Sequence, residues 1–397
     1  MCPSSEPICA PIAKDAGVGD ASLGGGGGGG SSASNVGCTC PSSYTTCPSG
    51  DCVYLPTDSA NCGTCGKSCA SLCGDGGICY PFCESSACGA GYPTNASQSS
   101  LVGIAVGPDG NIWFTDEGAN AVGRVSSSGA LVEFPIPTAS AAPATGIAAG
   151  PDGNVWVTEN ATSKLASVTP AGIVTEHTLS AAVCTGPGGK GGGVSHAVGG
   201  LAGIAVGSDN NLWVASSSTD LILSVTTSAS CAEFLLATGS APYSMTLGPD
   251  GNVWFTEIGT NKIAKITTSG AVTEFQGFSN NALTAFDWIT SGPDGNVWFT
   301  EQSSSKIAKI VPGTGAFTEY SVIGPGNSSL SPSGITTGPD GNLWFTAGGY
   351  LGKSTPTGTV TLTSLPPVGS AALGIVTGPD SNLWFVYGAF VGESTPH

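Results

Sequence analysis

The sequence predicts an all-β protein, a seven-bladed β-propeller of four-stranded blades, preceded by a small disulfide-rich module and a flexible linker. Three observations carry this. Seven of the eight tryptophans fall in register, Trp113, Trp156, Trp213, Trp254, Trp298, Trp344 and Trp384, at intervals of 43, 57, 41, 44, 46 and 40 residues. A repeat of this length with strand-like content marks propeller blades. The segment GPDGNVWFTE stands verbatim at Gly248–Glu257 and Gly292–Glu301, with near-copies at Gly107–Asp116, Gly150–Glu159, Gly338–Ala347 and Gly378–Tyr387. No segment carries the helical apolar period, which excludes a helical solenoid.

Each unit divides into four short β-rich runs, as the fourth one illustrates: SMTLG, VWFTE, KIAKIT and AVTEF between Ser244 and Phe275. Asp-Gly and Ser-Gly in the intervening turns supply the positive-φ residue that a tight hairpin needs. The VWF core is apolar on both faces, as a strand sandwiched between neighbouring blades must be. In such a blade the PDGN and TSG turns lie on one side of the ring, the bottom. The ends of WFTE and the residues entering the next innermost strand lie on the top.

Upstream, residues 1–37 read as a flexible linker with seven consecutive glycines, Gly24–Gly30. These are not a phosphate loop, because no strand precedes them and no Lys-Ser/Thr follows. Residues 38–86 read as a cysteine-rich module: eleven of the fifteen cysteines stand between Cys38 and Cys88. That density points to a disulfide scaffold in an oxidising compartment. A zinc knuckle at Cys62, Cys65 and Cys69 is the alternative, without any histidine in the segment to support it. Cys2 has two readings, an ordinary paired cysteine or the lipid-bearing residue of a processed lipoprotein.

The propeller is placed at 87–397. Its seventh unit stops one strand short at AFVGESTPH. Residues 87–92 are therefore expected to supply the outer strand of the last blade. The long interval between Trp156 and Trp213 holds a glycine-rich insertion, Val183–Gly200, flanked by Cys184 and Cys231. One disulfide is expected there, two buried free thiols being the other reading.

Composition narrows the partners. The formal charge is −17, with 10 Lys+Arg against 27 Asp+Glu, so a phosphate backbone is repelled and nucleic acid is excluded. No apolar run reaches the roughly 18 residues that span a bilayer. A monomer in the extracellular space or the cell envelope, secreted or lipid-anchored, is expected.

GPDGNVWFTE, NKIAKI and AVTEF together resemble the virginiamycin B lyase (streptogramin lyase) family, over residues 101–397. The resemblance implies a seven-bladed propeller and a Mg²⁺-dependent elimination that opens a cyclic depsipeptide. It also implies catalytic histidines in PHGI-like segments just before the innermost strands. In this chain those positions read Val102, Thr145, Ala202, Tyr243, Asp287, Ser333 and Leu373, and none is histidine. Of the three histidines, His177 reads as a surface residue of an outer strand and His397 is the last residue. His196, in the insertion, is the candidate base if there is one.

Three positions after the repeat tryptophan stand Asp116, Glu159, Glu257 and Glu301. Oxygen ligands of this kind suit a hard divalent cation such as Mg²⁺, and strand-end structural roles suit them equally. Tyr243, Phe278, Phe286, Asp287 and Trp288 gather at the entries to units four and five, a combination of flat apolar faces and polar edges that suits a cyclic peptide or a sugar. Glu133, Glu176, Glu233, Glu274 and Glu319 fall on outer strands, where they guard a sheet edge.

Two functions follow. A binding propeller holding a small-molecule or peptide ligand at the top mouth is favoured by the missing histidines. A streptogramin-type carbon–oxygen lyase, conferring antibiotic resistance, is the alternative.

Overall fold

A computed structural model of the chain describes residues 45–46, 52–53, 91–94, 99–180, 184–185, 196–277, 283, 287–365 and 371–396. The chain divides into two compact units, Met1–Pro81 and Phe82–His397. In the first, Thr45–Thr46 pairs antiparallel with Cys52–Val53. The cysteine pairing, zinc and lipid expectations fall outside the described residues.

The second unit is a seven-bladed propeller of antiparallel sheets. Blade one runs from its innermost strand Leu101–Val106 through Ile112–Asp116 and Ala121–Val125 to the outer strand Leu131–Pro135. Blades two, four, five and six repeat this order. Blade three gains a fifth strand: Cys184–Thr185 runs parallel beside the outer strand Cys231–Leu235. The Cys184–Cys231 disulfide joins them, so the expected pairing is present. Blade seven takes its outer strand, Gly91–Pro93, from the opposite end of the unit, with Tyr92 opposite Val391.

The core lies between blades. Trp113, Trp156, Trp213, Trp254 and Trp298 are at most 1% exposed, and each packs into the face of the following blade. Trp213 meets Val253 and Phe255 of blade four, and Trp384 meets Ile112 and Phe114 of blade one, completing the circle. Burying an indole removes roughly 150–250 Å² from water, about 4–6 kcal/mol apiece at about 25 cal/mol per Å². The polar edge is satisfied as well: Trp254 Nε1 donates to Asp250 Oδ1 at 2.8 Å, and Trp298 Nε1 to Asp294 Oδ1 at 2.9 Å. The PDGN motif is thus a tryptophan cap as much as a turn. Gly251 holds φ 77° there, and in blade three Asn210 takes over at φ 60°.

Above five of the tryptophans lies an outer-strand ring, Phe134, Phe234, Phe275, Tyr320 or Tyr92, with centroids 5.3–5.6 Å away. In blade two that ring is His177, stacked on Trp156 at 4.7 Å with Nε2 2.9 Å from Ser167 Oγ. His177 is thus not simply a surface residue: it replaces a core aromatic. Burial pulls its pKa below the usual histidine value.

Candidate functional site at the propeller bore

The innermost strands enclose the bore. Seven side chains, one per blade, ring it: Ile104, Ile147, Ile204, Met245, Ile289, Ile335 and Ile375. Each stands nine residues before its repeat tryptophan, as 104 does before 113 and 245 before 254. That fixed offset is the signal through which the lining could have been read from the sequence.

One residue earlier, five blades carry glycine: Gly103, Gly146, Gly203, Gly334 and Gly374. A Cβ on Gly146 or Gly203 would collide with the backbone carbonyl of the next blade, Ala202 O or Tyr243 O. A side chain here would therefore push neighbouring blades apart. A threonine of the second strand secures the approach. Thr300 Oγ1 accepts from Trp288 N at 2.9 Å and donates to Ser333 O of blade six at 2.7 Å. Thr346 repeats the stitch between Gly334 N and Leu373 O.

Blade five breaks the glycine rule with Trp288. Its indole crosses the bore, and the Cη2 atom lies 2.8 Å from where a Cβ on Gly374 of blade seven would sit. Tyr243 of blade four lies near Thr145 of blade two. Burial raises the Tyr243 pKa, the nearby Thr145 hydroxyl opposes that, and the Glu117 charge adds to it. Thr145 Oγ1 is itself buried, facing the Tyr243 hydroxyl. The remaining space, about 170 Å³, is lined by aliphatic, hydroxyl and aromatic side chains and by no charged one.

Of the other expected ligand-contact residues, Asp287 is fully buried, and its Oδ1 accepts from Gln302 N at 2.7 Å. Phe286 and Phe278 lie outside the described residues.

The rim carboxylates are held within their own blades. Asp116, Glu159, Glu257 and Glu301 are each 0% exposed. Asp116 Oδ1 accepts from Ser100 N at 2.9 Å and Ala119 N at 3.0 Å. Thr162, Thr260 and Ser304 donate to Glu159, Glu257 and Glu301 at 2.5, 2.8 and 2.7 Å. The second oxygen of each acid is buried and unpaired. Burial, followed by the charge of the outer-strand Glu319, pushes Glu301 up to about 7, against the pull of the Ser304 hydroxyl and Lys306. Glu159 and Glu257 are raised in the same way beside Glu176 and Glu274. Lysines bridge toward these outer acids, Lys164 to Glu176 at 3.0 Å and Lys306 to Glu319 at 2.7 Å.

Among the described residues no group of three or more His, Cys, Asp or Glu side chains converges as a metal site. His196 Nδ1 stands 3.4 Å from Glu233 Oε2, on the outer strand of blade three. It takes the place that lysine holds in other blades, and it is not among the residues lining the bore. His397 lies outside the described residues.

Comparison with known proteins agrees with this architecture. The chain is similar to a streptogramin B lyase structure at 30% identity, covering 79% of this chain and 98% of that one with a TM-score of 0.67. A catalytically inactive histidine-to-alanine variant of virginiamycin B lyase from Staphylococcus aureus, solved with quinupristin, is 28% identical with a TM-score of 0.67, covering 78% of this chain and 99% of that one. Virginiamycin B lyase from Bordetella bronchiseptica is 44% identical over 52 residues, 13% of this chain; the match spans only 17% of that curated relative's length. The model of the virginiamycin B lyase family matches residues 86–198 and 190–393. The chain therefore belongs to the virginiamycin B lyase family.

Proposed function

We propose that this chain is a binding propeller that holds a small ligand, a cyclic peptide or a sugar, at the top mouth of its bore. The observation that carries the reading is the chemistry of the mouth. Tyr243 and Trp288 offer aromatic surface, hydroxyl groups offer polar edges, and no lining side chain carries a charge that could abstract a proton. Every position matching the family's motif histidines holds another residue. Loss of a general base costs an enzyme about 10²–10⁴-fold in rate. The chain acts as a monomer outside the cytoplasm, secreted or held at the cell surface, a placement supported by the Cys184–Cys231 disulfide.

Family membership supports a second reading, a carbon–oxygen lyase that opens a streptogramin B antibiotic and so confers resistance. Magnesium would supply the charge stabilisation for such an elimination. The residues present do not fit that ion: the four rim acids stand in four different blades, each tied to its own turn, and no group of three metal-ligating side chains converges among the described residues.

The test is titration with quinupristin, followed by mass analysis of the ligand with Mg²⁺ and with EDTA. Saturable binding with the ring intact under both conditions is expected. Ring opening that needs Mg²⁺ would establish the lyase reading instead. Absence of binding to quinupristin and to a panel of monosaccharides would remove the binding reading.

A further inference from the structure

We infer that the top mouth selects ligands bearing an ammonium group, which the Glu117 carboxylate on the rim of blade one receives beside the aromatic faces of Tyr243 and Trp288. This rests on the proposal of a ligand at the mouth and narrows its class to amino sugars and cyclic peptides with a basic side chain.

Position comes first. Glu117 follows Asp116, the last residue of the second strand of blade one. Its backbone N donates to Ser100 O at 2.9 Å. Ser100 directly precedes the innermost strand Leu101–Val106, whose Ile104 lines the bore. Glu117 therefore stands on the top rim at the bore side of its blade. The two rings reach toward that same blade from across the circle. A Cβ on Gly374 would meet Trp288 Cη2 and Val102 O at 2.8 Å each and Ile104 Cγ2 at 3.0 Å. The indole tip thus lies close to the innermost strand of blade one. Tyr243 of blade four also feels blade one: burial, opposed by the Thr145 hydroxyl, raises its pKa, and the Glu117 charge raises it further.

Charge comes second. Glu117 is exposed and takes part in no ion pair among the described residues. The lysines of the strand ends are committed elsewhere, Lys164, Lys262 and Lys306 each to an outer-strand glutamate. Tyr243 and Trp288 are half-buried, so part of each stays accessible. A carboxylate beside accessible ring faces is the combination that recognises an ammonium, through a charge-assisted hydrogen bond on one side and the ring quadrupole on the other. The formal charge of −17 draws cations to the surface and repels anions. Deeper in the bore the lining is uncharged. A ring or apolar face can enter there while the ammonium stays at the wet rim, which avoids the cost of burying it.

Two ligand pairs test this. Glucosamine and N-acetylglucosamine share one ring and differ in charge, as do cyclo(Phe-Lys) and its Nε-acetylated form. Calorimetry on the intact protein, in slightly acidic buffer of low salt, should show the charged member of each pair bound about five- to tenfold more tightly. Glu117→Gln, a change on an exposed side chain, should equalise each pair and leave the acetylated members unchanged. Glu117→Lys should invert the preference. In about 1 M salt, where the Debye length falls to about 3 Å, the preference of the unmodified protein should shrink. Equal affinities within both pairs would overturn the ammonium site, and so would a preference that survives Glu117→Gln. Neutral sugar or peptide bound without charge preference would sink this site alone and leave the mouth proposal standing. No binding by any member of either pair, nor by quinupristin, would sink both.

Discussion

In blade one, the Glu133 carboxyl on the outer strand faces Asp116 at the end of the second strand, with no lysine between them. The register shows why. Glu159, Glu257 and Glu301 are paired with Lys164, Lys262 and Lys306, whereas Asp116 is paired with Ala121. Asp116 Oδ2 and Glu133 Oε1 are both buried and unpaired. Burial, and then the Asp116 charge, pushes Glu133 from 4.5 up to about 7.

This pair makes stability depend on pH. Between pH 4.5 and about 7 the folded protein holds a proton on Glu133 that the unfolded chain has released. Stability therefore falls as pH rises through that window and levels off above it. Glu133→Gln should stabilise the protein by about 1 kcal/mol at pH 8, raising Tm by about 2–4 °C, with no gain at pH 4.5. Glu301 titrates in the same range, so the readout is the difference between the two proteins in thermal melts. Identical melts at pH 8 would refute the pairing.

Restoring the missing cation is the complementary experiment. Ala121→Lys places an ammonium where the other acidic blades have one, and should recover about 0.5–1 kcal/mol at pH 8. That gain should vanish in the Glu133→Gln background, as a double-mutant cycle would show.

The close approach of blades at the bore should be intolerant of a methyl group. Gly146→Ala directs a Cβ at Ala202 O, a backbone atom unable to move aside. A loss of about 3 kcal/mol or more in urea unfolding is expected. Gly313→Ala, with open space at its Cβ, should stay within about 0.5 kcal/mol. Comparable effects at the two sites would contradict the packing account.

The disulfide in blade three closes a loop with a sequence separation of 47. Replacing Cys184 and Cys231 by serine should cost about 2–4 kcal/mol. The unmodified protein treated with reductant should lose a similar amount; resistance to both treatments would show that the crosslink contributes nothing.

His177→Phe supplies the ring that most other blades place over their tryptophan, at the expense of the Ser167 contact. The imidazole pKa is depressed by burial. Its contribution is therefore lost as pH falls from 6.5 through the folded value. The phenylalanine variant should match the parent at pH 8 and exceed it by about 0.5–1 kcal/mol at pH 5. An unchanged difference between the two pH values would refute this.

The ring of blades was legible because its signal is redundant. Tryptophan register, Asp-Gly turns and two-faced apolar strands all specify one architecture, and the missing strand of blade seven could be inferred from it. The site was legible only in part. Position along the strand put Asp116, Glu159, Glu257 and Glu301 at the strand ends, but a one-dimensional pattern does not show which way a terminal side chain turns. For the three glutamates the turn partner is visible in the sequence, a hydroxyl three residues on at Thr162, Thr260 and Ser304, and that spacing is the clue to their inward engagement. Tyr243 and Trp288 were found as aromatics beside the innermost strands. The reach of Trp288 across to Gly374 was not, because it depends on two blades distant in sequence meeting around a circle.

The borrowed strand Gly91–Pro93 has a temporal consequence. A chain emerging from the ribosome displays this segment long before Phe390–Ser394 exists to receive it. Until Phe390–Ser394 arrives, the seventh sheet has no rim and Trp384 has no roof. Nascent or truncated molecules lacking that strand would thus carry a sticky border until the clasp closes the ring.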